Sequence, residues 1–199
     1  MNENDGRPAR RSRLPPVLSS VLSLVVLGGA LVAPLITRLI GYAPAPVDLS
    51  EVQTWEIDTG HTEGDVDYPQ TPPAGGLHAP VWLGCGAYDE PVRDENAAHD
   101  LEHGTVWITY DPSLPSRDVE ALRDLLPDNG IMSPYDGLPS AVVVTVWGAQ
   151  LALDRALDPR LPLFLEEYGD GHTAPEFGAS CEGGTPDPTG ELPEPGTNA

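Results

Sequence analysis

The sequence predicts an α+β domain, a small sheet with helices packed on one side, preceded by one N-terminal transmembrane helix. Three observations carry this. Apolar, β-branched runs of strand length alternate with short segments of helical period. No Gly-rich phosphate loop follows any of the strands, which argues against a doubly wound α/β sheet. A long uncharged run lies close to the N-terminus.

Residues 1–13 carry Arg7, Arg10, Arg11 and Arg13 against Glu3 and Asp5, and the next basic residues are Arg38 and then Arg93. Leu14 to Thr37 is uncharged over 24 residues. About 20 apolar residues in helical rise cross a hydrocarbon core of roughly 30 Å, so this run is long enough to span a membrane. The Arg excess before it places residues 1–13 in the cytoplasm and the remainder outside, as a single-pass protein of the cell membrane. A cleaved signal peptide is the competing reading, with Ala43-Pro44-Ala45 as a loose cleavage site. The run exceeds the usual apolar region of about 7–15 residues in such peptides, which favours the anchor.

Residues 38–54 are rich in turn formers and read as a linker, although Val52–Ile57 has the composition of one short strand. The extracytoplasmic domain is expected over residues 55–181. Its strands are Val81–Leu83, Thr105–Tyr110, Ala141–Trp147 and Gln150–Leu153, by β-branched and aromatic content. Helices are expected over Asp94–His103, stopped by Gly104, and over Ser116–Leu126, with Ser116 as cap and Pro127 as stop. A third opens with Asp158 as cap and Pro159 in the first turn, and carries Leu161, Phe164, Leu165 and Tyr168 at i, i+3, i+4 and i+7. Residues 182–199 hold one aliphatic side chain, Leu192, among many Pro and Gly, and read as a disordered tail.

The 199 residues leave room for one domain of ordinary size. Acidic residues number 31 against 10 basic ones, all Arg, for a formal charge of −21. A surface so acidic lacks the clustered cations that nucleic acid or anionic lipid requires, so neither is an expected partner of the folded part. Two Cys are too few for a disulfide scaffold or a four-Cys zinc site. Both, Cys85 and Cys181, fall on the exported side, where one intramolecular disulfide is expected, closing a loop of about 100 residues. A Cys85 thiolate acting as nucleophile or ligand is the rival reading.

Four of the five His lie between His61 and His103. On a helix, Glu95, Asn96, His99, Glu102 and His103 share a face about 120° wide, with Ala97, Ala98 and Leu101 opposite. His99 and His103 are one turn apart, the spacing with which two imidazoles grip one ion if a third ligand arrives from elsewhere. His78 is the preferred third ligand, with Glu102, His61 or Met132 as substitutes, and imidazole donors favour copper or zinc over calcium. The string His99-x-x-Glu102-His103 also matches the pattern of inverted zinc peptidases, in which Glu102 would be the general base. Gly104, directly after it, ends the helix at the motif. No nucleophile elbow or nucleotide loop occurs, and Ser133 reads as a turn residue before Pro134. Asp89-Glu90 and Asp94-Glu95 are carboxylate pairs that so acidic a chain makes uninformative. Trp82, Trp107 and Trp147 are expected in the core or on sheet faces.

Gly76-x-His78, Cys85-Gly86, Asn96-x-x-His99-x-x-Glu102-His103-Gly104 and Ser133-Pro134-Tyr135, together with the Asp158-Pro159-Arg160-Leu161 helix, resemble the family known as domain of unknown function 3105. The resemblance runs from about Trp55 to Cys181. It implies a bacterial protein, often with one N-terminal membrane helix, and implies no particular activity. It singles out His78, Cys85, His99, Glu102 and His103 as the positions by which the family is recognised.

The expected function is that of a membrane-anchored binding or envelope-interaction module, with a protein partner at the cell envelope and a copper or zinc site at His78, His99 and His103. A zinc-dependent hydrolase using Glu102 is the alternative. A structural domain whose His helix is a solvated surface is the third reading.

Overall fold

The computed structural model describes residues 47–191. The cytoplasmic segment 1–13, the membrane segment 14–37, most of the linker and residues 192–199 lie outside the described residues. No helix among the described residues is long and apolar enough to cross a membrane.

The β-branched runs form the strands β5 (Val106–Tyr110), β7 (Val142–Val146) and β8 (Ala149–Leu153), every residue of which is buried except Ala152. β7 and β8 make a hairpin in which Val146 faces Ala149. Its two-residue turn ends at Gly148, whose φ of 71° an L side chain rarely adopts. A Cβ there would also stand 2.8 Å from the Trp55 carbonyl oxygen. Trp147, expected in a strand, therefore sits in the turn and packs back on the core.

Four shorter or less regular strands complete the sheets: β1 (Gln53–Thr54), β2 (Gly60–His61), β3 (Leu77–His78) and β4 (Gly86–Ala87). A further strand, β6 (Gly130–Pro134), was not expected. The main sheet runs β1-β8-β7-β5-β6-β4. Its β1, β8, β7 and β5 pair antiparallel, whereas β6 pairs parallel to both β5 and β4. β2 and β3 form a separate parallel ribbon. Val81–Leu83 makes no regular strand and contributes one bridge, Leu83 to Thr185. Ser133 lies buried in β6, where its hydroxyl accepts from the Trp107 indole N–H at 3.1 Å. It is a sheet-interior residue and not a turn serine.

The helices are α1 (Asp94–Glu102), α2 (Ser116–Arg123) and α3 (Arg160–Tyr168). Pro159 takes the N-cap position of α3, where Asp158 was expected, and Asp158 Oδ1 accepts the Arg160 backbone N–H at 3.0 Å from just before it. Ser116 does not cap α2; Pro115 takes that position, without a side-chain cap. The fold is α+β, with a mixed six-stranded sheet and three helices.

The helices do not share one side of the sheet. Strand alternation sends Val106, Ile108, Val142, Val144 and Leu151 to a face covered by Leu122 of α2 and by Leu161 and Phe164 of α3. Trp107 and Ile131 point the other way and pack with Ala97 and Leu101 of α1. Because the central strands are buried on both faces, each face needs its own helical cover.

Both ends of the expected domain also extend. Leu49 and Val52 pack on the first core cluster, and β1 pairs with β8, so residues 47–54 belong to the domain and not to a linker. Residues 182–191 lie against the domain and are not a disordered tail. Thr185 is buried, Gly84 and Arg93 donate backbone N–H groups to Thr185 and Pro188 at 2.8 Å each, and Gly190 closes on the Asn96 side chain. Backbone hydrogen bonds hold this stretch where its composition provides no apolar side chains. Cys85 and Cys181 form the expected disulfide, 96 positions apart in sequence.

Candidate metal centre

α1 positions the site. It has the charge pattern of a surface helix, yet every residue from Glu95 to Glu102 is buried. Ala97 and Leu101 face the sheet, while the polar side is covered by the chain around residues 59–81 and by the C-terminal stretch. The reading of a solvated His helix is thereby corrected. Its N-terminal carboxylates serve the cover: Glu95 accepts the Val66 N–H at 2.8 Å and pairs with Arg93 at 3.0 Å. Asp94 accepts the Tyr135 hydroxyl at 2.9 Å, and burial pushes its carboxyl up to about 6. Asp100, wholly buried, accepts the Leu83 N–H at 2.9 Å, and desolvation raises its pKa well above the usual carboxylate range.

The β2–β3 ribbon pairs His61 with His78, which places both imidazoles on the same face with ring centroids 4.6 Å apart. α1 brings His99 and Glu102 to the same point. His61, His78, His99 and Glu102 each offer one ligand atom, and the four atoms all lie within 4.8 Å of one another. His61 is exposed and the other three are buried.

Backbone carbonyls set the ring orientations. His78 Nδ1 lies 2.8 Å from the Gly76 oxygen and His99 Nδ1 2.7 Å from the Ala79 oxygen. A carbonyl can only accept, so each Nδ1 carries a proton, and in the neutral ring the lone pair is at Nε2. That is the usual outer-shell arrangement of a metal-binding histidine. His78 Nε2 and Glu102 Oε2 stand 3.0 Å apart, yet each is buried without a hydrogen-bond partner. Thr59 Oγ1 donates to Glu102 Oε1 and so orients the carboxylate. Burial lowers His99 to about 4 against the raising effect of the Ala79 carbonyl, with the neighbouring His rings adding to the fall, and leaves it neutral near pH 7.

Two donors about 2.0–2.2 Å from a tetrahedral zinc are roughly 3.3–3.6 Å apart, so this cluster needs only small movements to close on an ion. A buried carboxylate facing bare imidazole nitrogens is costly alone and is stabilised by a divalent cation among them. Among the described residues, no Arg pairs with Glu102. Three imidazoles and one carboxylate suit zinc or copper rather than calcium or magnesium.

Of the ligands expected from sequence, His78 and His99 converge, joined by His61 and Glu102 from among the substitutes. Met132 lies in the core cluster on the opposite sheet face. His103 stands beside the four, its Nε2 3.1 Å from His99 Nε2 and 3.4 Å from Glu176 Oε2. Trp82, expected in the core, is half-buried and lies over His99 and His103 at 5.5 and 5.1 Å. Thr59, Glu176 and Trp82 carry no spacing signal that would have singled them out in sequence.

Fold and site define an α+β domain with a buried histidine–carboxylate cluster able to hold a transition metal. The family model described as "Protein of unknown function (DUF3105)" matches residues 61–183, and the chain belongs to this family. The matched span contains all four donors and both cysteines. Neither a curated protein nor a solved structure matches the chain.

Proposed function

We propose that this protein is a transition-metal-binding module in which His61, His78, His99 and Glu102 hold one zinc or copper ion. The observation that carries the reading is the pair of carbonyl-anchored imidazoles, His78 and His99, gathered with His61 and Glu102 so that one ligand atom of each lies within 4.8 Å of the others. The uncharged run Leu14–Thr37 and the Arg residues before it support a single-pass anchor that presents this module outside the membrane. The hydrolase alternative would use Glu102 as a base. Against it, one oxygen of Glu102 is engaged by Thr59 and the other faces His78, which suits a ligand better than a base directed at water.

Metal content of the full-length protein, purified without chelator and measured by inductively coupled plasma mass spectrometry, tests the reading. Near-stoichiometric zinc or copper in the parent, absent from a His78→Ala/His99→Ala variant, is expected. No metal in either, after incubation with each ion, would overturn it.

A further inference from the structure

Next to the four-donor cluster lies a second constellation which that cluster does not use. His103 closes the C-terminal end of α1, and its Nδ1 lies 3.2 Å from the Ser180 carbonyl oxygen, so in the neutral ring its lone pair is at Nε2. This Nε2 faces His99 Nε2 at 3.1 Å, with both residues buried. Two lone pairs held face to face at that distance repel unless a proton or a metal cation lies between them. The same His103 Nε2 also lies 3.4 Å from Glu176 Oε2, on a side chain that is 56% exposed. Glu176 is itself tied to the end of α1, its backbone N–H donating to the Glu102 carbonyl at 3.0 Å.

His99 is common to both constellations, and it has a single lone pair to offer, because its Nδ1 is committed to Ala79. The inner cluster and the His99–His103 pair therefore cannot hold two ions at once through that residue. The donors instead lead inward from the exposed Glu176: Glu176 and His99 meet at His103 Nε2, at 3.4 and 3.1 Å, and His99 belongs in turn to the inner cluster with His78 and Glu102.

We propose that Glu176 and His103 form a transfer path by which a single zinc or copper(II) ion enters and leaves the inner cluster, passing by stepwise ligand exchange through a His99–His103 intermediate. The ion stays divalent throughout, and each step makes one metal–ligand bond as it breaks another. This rests on the metal-binding reading above and adds that the ion is exchanged rather than permanently held.

A waypoint alters the barrier and leaves the end states alone, so its loss changes uptake and release by the same factor. The test follows copper(II) binding to the full-length protein by stopped-flow quenching of tryptophan fluorescence, Trp82 lying 5.1 Å from His103. Release is followed by challenge with a chelator, and affinity by equilibrium competition. Glu176→Gln, at an exposed position, and His103→Gln should each slow uptake and release together by about tenfold or more, with affinity almost unchanged. Unchanged rates in both variants would overturn the path while leaving the inner site standing. A fall in affinity expressed only as faster release would overturn it too, by making His103 a permanent ligand. A parent protein that binds no copper or zinc would remove the inner site and the path together.

Discussion

His78 Nε2 and Glu102 Oε2 lie 3.0 Å apart, buried, and neither makes a hydrogen bond. In the neutral ring the His78 proton is committed to the Gly76 carbonyl, and the contact then sets a lone pair against a carboxylate, an arrangement that a cation between them makes favourable.

Substituting Glu102→Gln removes the charge and keeps the shape. As a ligand, Glu102 contributes anionic charge to the ion, so zinc or copper affinity should fall by about 10- to 100-fold or more, read by competition with a chromophoric chelator. A general base would leave affinity intact, so unchanged binding would favour the hydrolase reading.

Thr59→Val tests the support beneath that ligand. Thr59 donates to Glu102 Oε1 from an exposed position, so its loss should weaken metal binding by about 10-fold. Folding stability without metal should change by no more than about 1 kcal/mol, as judged by urea denaturation in chelator.

Asp94 governs a separate pH dependence. Its folded-state value is raised to about 6 by burial, against an ordinary 3.8, so the folded protein binds more protons between those values. The stability this contributes is fully present below about pH 4 and is lost as pH rises through 6. Asp94→Asn can still accept the Tyr135 hydroxyl and does not ionise, so it should gain on the parent as pH rises from 4 to 7. On the order of 1 kcal/mol is expected after discounting for partial exposure and for the helix N-terminus, measured by denaturant titration across that range.

The Cys85–Cys181 disulfide constrains both the fold and the transfer path, because Ser180, whose carbonyl orients His103, is next to Cys181. Replacing both cysteines by Ala should lower stability by about 2–4 kcal/mol, given the long loop it closes. It should also slow copper uptake in the stopped-flow experiment, since the His103 ring loses a fixed partner. An unchanged uptake rate would show that the 176–181 segment holds its place without the bridge.

Much of the fold was legible. α3 declared itself through Asp158, Pro159 and the apolar spacing from Leu161 to Tyr168, and β5, β7 and β8 through their β-branched runs. β6 was not legible, since Gly130-Ile131-Met132-Ser133-Pro134 mixes a turn former with no clear alternation and becomes a strand by lying between β5 and β4. The ordering of residues 182–191 was hidden likewise, because it depends on backbone contacts with Leu83, Gly84 and Arg93 about 100 positions away. In the site, the sequence named His78, His99 and His103; the structure gathers His78 and His99 with His61 and Glu102, and leaves His103 beside them.

By itself the sequence determined local elements and their chemistry: most of the longer strands and the helices, which two cysteines can pair, and that His99, Glu102 and His103 share one face of α1. Such properties reside within a turn of helix or a few residues of strand, where periodicity and propensity act. Only the tertiary structure decided that α1 is buried on all sides, that a parallel ribbon sets His61 beside His78, and that His103 turns toward Glu176. These depend on pairings between segments tens of residues apart. Their geometry is set by packing of the whole domain and by which carbonyl each imidazole proton meets.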